Sequence, residues 1–138
     1  SGGSSVKETV VAEVKEKLNE EIGKKKEELI AQAKAERDRL VAEAQKQADD
    51  LKAKARSEAA NAKAQAYKAA DDQVAQVKDP FGKIAAKAVA DKLKKEADKK
   101  EQQVVAEADK KADGIVVAAR QKGDDLIKKA EATDTTVK

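Results

Sequence analysis

The apolar residues of this chain recur with a period of eleven. Cut from residue 28, the sequence reads ELIAQAKAERD, RLVAEAQKQAD, DLKAKARSEAA, NAKAQAYKAAD and DQVAQVKDPFG, and from residue 103 it reads QVVAEADKKAD, GIVVAARQKGD and DLIKKAEATDT. Both stretches follow the consensus x-[LVI]-[VI]-A-x-A-x-x-x-A-D. Eleven residues make close to three helical turns, so repeat positions 2, 3, 6 and 10 share one face of an α-helix. The pattern therefore predicts two amphipathic helical segments built on one repeat.

The large residues on this face are the candidates for packing between helices. They are Leu29, Ile30, Leu40, Val41 and Leu51 in the first stretch, and Leu93, Val104, Val105, Ile115, Val116, Leu126 and Ile127 in the second. Most other face positions are Ala, which allows helices to approach closely. A period of about 3.67 residues per turn favours straight helices or a slight right-handed supercoil.

The ends of the first helix are marked by composition. Residues 1–5 are Ser and Gly only, which is typical of a vector scar or linker. Ser5-Val6-Lys7-Glu8 has the spacing of a capping box, so we expect a helix over 6–77. At the other end of the chain, the Thr-rich residues 133–138 are expected to form a disordered tail.

A turn is predicted at residues 78–82, which include Asp79, Pro80, Phe81 and Gly82. Pro cannot sit inside a helix without losing a hydrogen bond, but it suits the first helical turn. Asp79 is then the N-cap of a second helix over 80–132. We expect Phe81 to plug the end of the hairpin.

These elements predict one all-α domain over 6–132, a long antiparallel helical hairpin resembling a coiled coil. At ~1.5 Å per residue the second helix would be roughly 80 Å long and would reach back to about residue 26 of the first. Residues 6–22 would then fold back or project. A three-helix bundle with a break near Gly23 is the alternative.

Charge is abundant but balanced, with 30 basic and 27 acidic residues and a net charge of +3. Each lysine cluster has acids within one turn, which is typical of a solvated helix surface and argues against nucleic-acid binding. The clusters are Lys24–Lys26, Lys94–Lys95, Lys99–Lys100 and Lys110–Lys111. Tyr67 and Phe81 are the only aromatic residues, so a basic face with stacking aromatics is not available.

Few residues are suited to catalysis. The chain has no His and no Cys, which removes the commonest general base and the thiolate nucleophile. Ser57 lies on a helix with no base beside it. The acidic pairs Asp49–Asp50, Asp71–Asp72 and Asp124–Asp125 point in divergent directions, whereas hard cations need converging oxygens. We therefore expect no enzyme activity, no cofactor, no metal and no small-molecule substrate.

The repeat xLVAEAxxxAD resembles the eleven-residue repeats of three protein groups. These are the peripheral-stalk coiled coils of rotary ATP synthases, the group 3 late-embryogenesis-abundant proteins and the exchangeable apolipoproteins. The resemblance covers residues 28–77 and 93–132, is one of period and composition, and transfers no functional residue. Residues 79–115 also resemble Lys/Ala-rich tails of bacterial cell-envelope proteins, which implies a cell-envelope or periplasmic location.

Two functions remain in view. The first is a structural or protein-interaction module, an elongated helical spacer, stalk or oligomerisation element with a protein partner or a second copy. The alternative is an amphipathic lipid-surface or stress-protective protein, although a face made mostly of Ala buries little in a membrane.

Overall fold

The computed structural model describes residues 2–133 and 137, and it contains two α-helices. Helix α1 spans Gly2–Gln76 and helix α2 spans Pro80–Ala132, with no strand among the described residues. The two helices pack against each other, which confirms the all-α helical hairpin. Helix α1 runs through Gly23 without a break, so the three-helix alternative is not the observed fold.

The helix ends differ from the predicted ones at the start of the chain. Helix α1 begins at Gly2, four residues before the predicted start at residue 6, so residues 2–5 belong to the helix. The hydroxyl of Thr9 donates to the carbonyl of Ser5 at 3.0 Å, an i to i−4 bond on the first turns. Ser1 and, from the predicted tail, residues 134–136 and 138 lie outside the described residues.

Contacts divide the chain into two compact units. Unit 1 comprises Ser1–Glu43 and Val117–Lys138, and unit 2 comprises Ala44–Val116, which includes the connection between the helices. Each unit contains a stretch of both helices and is described separately below.

The interface in unit 2 is made of alanine. Its buried apolar residues are Ala44, Ala48, Ala59 and Ala70 on α1, and Ala90, Ala108 and Ala112 on α2. A methyl group leaves little distance between two helix backbones, and it contributes only about 0.8 kcal/mol when buried. The interface is therefore thin, and side chains at its two edges take part in holding the helices together.

The connection in unit 2 is short and capped. Val77, Lys78 and Asp79 join the helices, and Pro80 is the first residue of α2. The backbone N–H of Gly82 donates to Oδ2 of Asp79 at 2.9 Å, and the N–H of Lys83 donates to the Asp79 carbonyl at 2.8 Å. Asp79 is thus the N-cap of α2, with the preset φ of proline at the next position.

In unit 1 the helices approach closely at Gly123. A methyl group placed there would lie 2.7 Å from Cβ and 3.0 Å from Cα of Arg37, and it would also meet Cγ of that residue. Ile127, one turn further along α2, is 8% exposed. The amide of Asn19 pairs with both backbone groups of Val137, accepting from its N–H at 2.7 Å and donating to its carbonyl at 3.2 Å.

The predicted packing residues divide into two groups by burial. The large apolar residues at repeat position 3 are all buried or half-buried: Ile30, Val41, Val105, Val116 and Ile127. Those at position 2 lie nearer the edge of the interface: Leu40, Leu51, Ile115 and Leu126 are half-buried, whereas Leu29, Leu93 and Val104 are exposed. The contact between the helices is therefore centred on positions 3, 6 and 10.

Candidate functional site

One edge of the unit 2 interface carries a row of polar contacts between the helices. Arg56 Nη2 lies 3.2 Å from Asp109 Oδ1, and the hydroxyl of Tyr67 donates to Asp98 Oδ1 at 2.6 Å. The two pairs are eleven residues apart on both helices, so all four side chains occupy repeat position 7. The repeat thus places matching polar residues opposite each other when the helices run antiparallel.

Lysines surround the Tyr67 ring within this row. Lys63 Nζ lies 3.3 Å from both Asp98 Oδ1 and Glu101 Oε1, and Lys94 Nζ lies 2.6 Å from Asp71 Oδ1. The two ammonium groups are 5.7 Å and 5.3 Å from the centre of the ring, within the range of cation–π attraction. Position 7 lies off the apolar face, so the repeat alone did not identify Tyr67 as a contact between helices.

The same contacts shift the pKa values of these groups. The hydrogen bond from Tyr67 lowers the pKa of the Asp98 carboxyl, and the bond to Asp98 raises the pKa of the Tyr67 hydroxyl. Hydrogen bonds to Glu101 and then Asp98 raise the pKa of Lys63, and the bond to Asp71 raises that of Lys94. All four shifts favour the protonation states that these groups have at neutral pH, so each group contributes to holding the two helices together.

An apolar groove adjoins this polar row in unit 2. It has a volume of about 180 Å³ and is lined by Ala59, Ala62, Ala66, Ala97 and Val104, with Lys63, Lys100 and Glu101 at its margin. A second groove beside it is lined in part by Ala70 and Leu93. Leu93 and Val104 therefore line shallow grooves whose other apolar residues are alanines.

Phe81 does not plug the end of the hairpin, and that prediction is wrong. The side chain is 81% exposed, and Ile84, one turn later, is 68% exposed. Residues facing α1 from this end of α2 are the half-buried Gly82 and Ala86 and the buried Ala90, spaced four apart. Phe81 precedes Gly82 by one residue and so points about 100° away from the interface. We name Phe81, Ile84 and Ala88 the apex ridge.

A second group of exposed apolar residues lies near the start of α1, in unit 1. Val6, Val10, Val14 and Leu18 follow one another every four residues, and their exposed fractions run from 65% for Val6 to 43% for Leu18. All residues from 5 to 18 are exposed. We name these four residues the N-terminal ridge.

The remaining candidate chemistry is sparse. Within the described residues, no group of three or more His, Cys, Asp or Glu side chains is arranged to hold a metal ion. The acidic pairs are exposed, and Asp71 is bound to Lys94. No stretch of either helix in the described part of the chain is both long and apolar enough to span a membrane. No protein-family model matches the chain, and neither a curated protein nor a solved structure is significantly similar to it.

Proposed function

We propose that this protein is a non-enzymatic structural and interaction module, an elongated helical spacer, stalk or oligomerisation element. One observation carries the proposal: large apolar side chains are exposed in ordered rows at the start of each helix, on the apex ridge and the N-terminal ridge. Single exposed apolar residues are ordinary, but rows that follow helical spacing are typical of surfaces that bind a partner.

The rest of the described surface supports the same reading. In unit 2, charged and phenolic groups on one edge of the interface are bound to each other. The pKa values of Lys63, Tyr67 and Asp98 are shifted away from neutrality rather than toward it, unlike those of a typical acid or base in catalysis. The polar groups therefore act on the fold, and the exposed apolar groups remain for binding.

Sedimentation equilibrium over a wide range of protein concentration tests this function, together with circular dichroism. We expect a helical protein whose average mass rises with concentration, or which forms a stable complex of more than one chain. A helical monomer at every concentration would contradict self-association, and a chain without helix in buffer would contradict the whole proposal.

The second candidate function, a lipid-surface protein, has one specific observation in its favour. Phe81 and Ile84 are exposed beside Lys83 and Lys87, a combination suited to an anionic membrane surface. Co-sedimentation with vesicles of neutral or half-anionic lipid separates this candidate from the first. Binding to anionic vesicles at protein concentrations where the protein is monomeric would favour it.

A further inference from the structure

The apex ridge has a basic margin. Lys83 and Lys87 lie one turn apart on the side of α2 next to Ile84, and Lys78 precedes the helix. Residues 77–90 contain three Lys against one Asp, a net charge of +2. That one acid, Asp79, accepts the hydrogen bond from Gly82 that caps the helix. The ridge therefore offers apolar side chains with positive charge on one edge.

The N-terminal ridge has an acidic margin. Glu13, Glu16 and Glu20 follow at i, i+3 and i+7, so they form one row on the side of α1 next to Val6 and Val10. Residues 5–22 contain three Lys against five Glu, a net charge of −2. This surface is the opposite of the apex ridge in charge and similar to it in apolar character.

We propose that the apex ridge of one copy packs against the N-terminal ridge of a second copy of this chain. The inference rests on the proposed function as an oligomerisation element and names its partner. Contact between two apex ridges would bring Lys83 and Lys87 against the same lysines, which like-charge repulsion opposes. Contact between the two different ridges buries apolar side chains on both and pairs opposite charges along one edge.

The geometry also determines the orientation of the two helices. When each helix is viewed from its N-terminus with its ridge in front, successive residues are about 100° apart. Lys83 and Lys87 lie on one side of the apex ridge, and Glu13 and Glu16 lie on the same side of the N-terminal ridge. When two helices pack face to face, edges of the same side meet if the helices are antiparallel. The start of α2 in one copy therefore runs antiparallel to the start of α1 in the next. The opposite edges, with Val89 and Val11, then meet as apolar neighbours.

This contact is heterologous, because two different surfaces meet. Each copy carries one apex ridge and one N-terminal ridge, so a bound copy still offers a free surface of each kind at the two ends of the assembly. Heterologous contacts that do not close into a ring extend into open chains. A closed ring would contain a fixed number of copies, whereas an open chain would grow with protein concentration.

Complementation between two variants tests the proposal. The apex variant is Phe81→Ala with Ile84→Ala, and the N-terminal variant is Val10→Ala with Val14→Ala; all four side chains are exposed, so the fold is retained. Each variant alone is expected to lose self-association by about tenfold or more, as truncation of central aromatic and aliphatic contacts commonly does. An equimolar mixture is expected to form a dimer and nothing larger, because only one productive contact remains.

A matched control and a charge test accompany the mixture. Val117→Ala removes an exposed apolar side chain outside both ridges and should associate as the unmodified protein does. Lys83→Glu with Lys87→Glu, and Glu13→Lys with Glu16→Lys, should each weaken association when present alone. The two changes combined in one chain should restore it, and added salt should weaken association of the unmodified protein. Circular dichroism verifies that every variant is helical.

Each other outcome overturns the inference in a distinguishable way. If either apolar variant alone associates as the unmodified protein does, or if the mixture remains monomeric while the unmodified protein assembles, the contact lies elsewhere and only the proposed function survives. A helical monomer at all concentrations rejects this contact and any self-association, whereas a chain without helix in buffer rejects the proposed function as well. Binding of that monomer to half-anionic vesicles, abolished by the apex variant, would assign the apex ridge to a lipid surface instead.

Discussion

Replacement of Gly123 by Ala tests how closely the two helices approach in unit 1. Gly123 is buried, and the nearest atoms to an added methyl group belong to Arg37, with the Cα of that residue only 3.0 Å away. A long side chain can move aside, but a Cβ and a Cα move only with their helix. The chain also offers two glycines with no atom within 4 Å of an added methyl group, Gly23 and Gly114.

The magnitude follows from two opposing effects. Ala is favoured over Gly inside a helix by about 1 kcal/mol, and this gain applies at all three positions. At Gly123 the added methyl group must also separate the helices, and overpacking of this kind costs about 1–3 kcal/mol. Gly23→Ala and Gly114→Ala should therefore raise the free energy of unfolding by about 1 kcal/mol. The free energy of unfolding of Gly123→Ala should be lower than that of these two controls by about 1–3 kcal/mol.

Urea unfolding followed by circular dichroism at 222 nm measures these differences. Gly23 lies in the same unit as Gly123 and Gly114 lies on the same helix, so together they control for both local surroundings and helix propensity. Arg37→Gly combined with Gly123→Ala places the glycine on α1 instead of α2 at this contact. The double variant should recover part of the stability that Gly123→Ala alone loses. If Gly123→Ala is as stabilising as the two controls, the helices do not meet at this residue.

Three further predictions concern unit 2. Asp79→Ala removes the N-cap of α2 and should cost about 1 kcal/mol in urea unfolding, whereas Asp79→Asn keeps an acceptor and should cost much less; equal losses would contradict the capping role. Because the pKa of Asp98 is lowered by the bond from Tyr67, its contribution to stability is complete above the ordinary pKa of 3.8 and is lost as the pH falls below it. The pKa of Tyr67 is raised, so its contribution is complete below pH 10.0 and is lost above it, and Tyr67→Phe should diminish both losses in thermal unfolding measured against pH. Ala48→Leu overfills a position that is 1% exposed and should cost about 1–3 kcal/mol in the same urea assay, whereas Leu at the exposed Ala53 should be tolerated.

The fold follows from sequence because its determinants are local. An eleven-residue apolar period indicates helix on both sides of Pro80, and Asp79 before that proline gives a cap and a start for α2. Two helices joined by a short turn can bury a shared stripe only by folding back on each other. The antiparallel hairpin is therefore accessible from the pattern without any information about contacts.

The contacts at the edges of the interface depend on register, which the repeat does not specify. Shifting one helix by eleven residues keeps every apolar face aligned, so periodicity cannot say which side chain opposes Tyr67. In the structure Asp98 does, with Lys63 and Lys94 beside the ring. The close approach of Gly123 to Arg37 also cannot be predicted from the repeat. Arg37 occupies position 10, where the consensus residue is Ala, and the repeat does not specify which residue of α2 lies opposite.

Repeat position 2 shows how a two-helix interface differs from an apolar face read along one helix. A face made of positions 2, 3, 6 and 10 is wider than the contact between two helices. That contact has room only for positions 3, 6 and 10, which follow one another at spacings of 3, 4 and 4 residues. Position 10 takes the centre, where Ala48, Ala70 and Ala112 are almost fully buried, and position 2 is left at the edge, where Leu29 and Val104 are exposed. The apolar residues that exceed the capacity of one interface are therefore the ones available for another. The four residues of the N-terminal ridge are the extreme case, since all of them are exposed. A sequence with more apolar surface than its own partner helix can cover is consistent with the contact between copies proposed above.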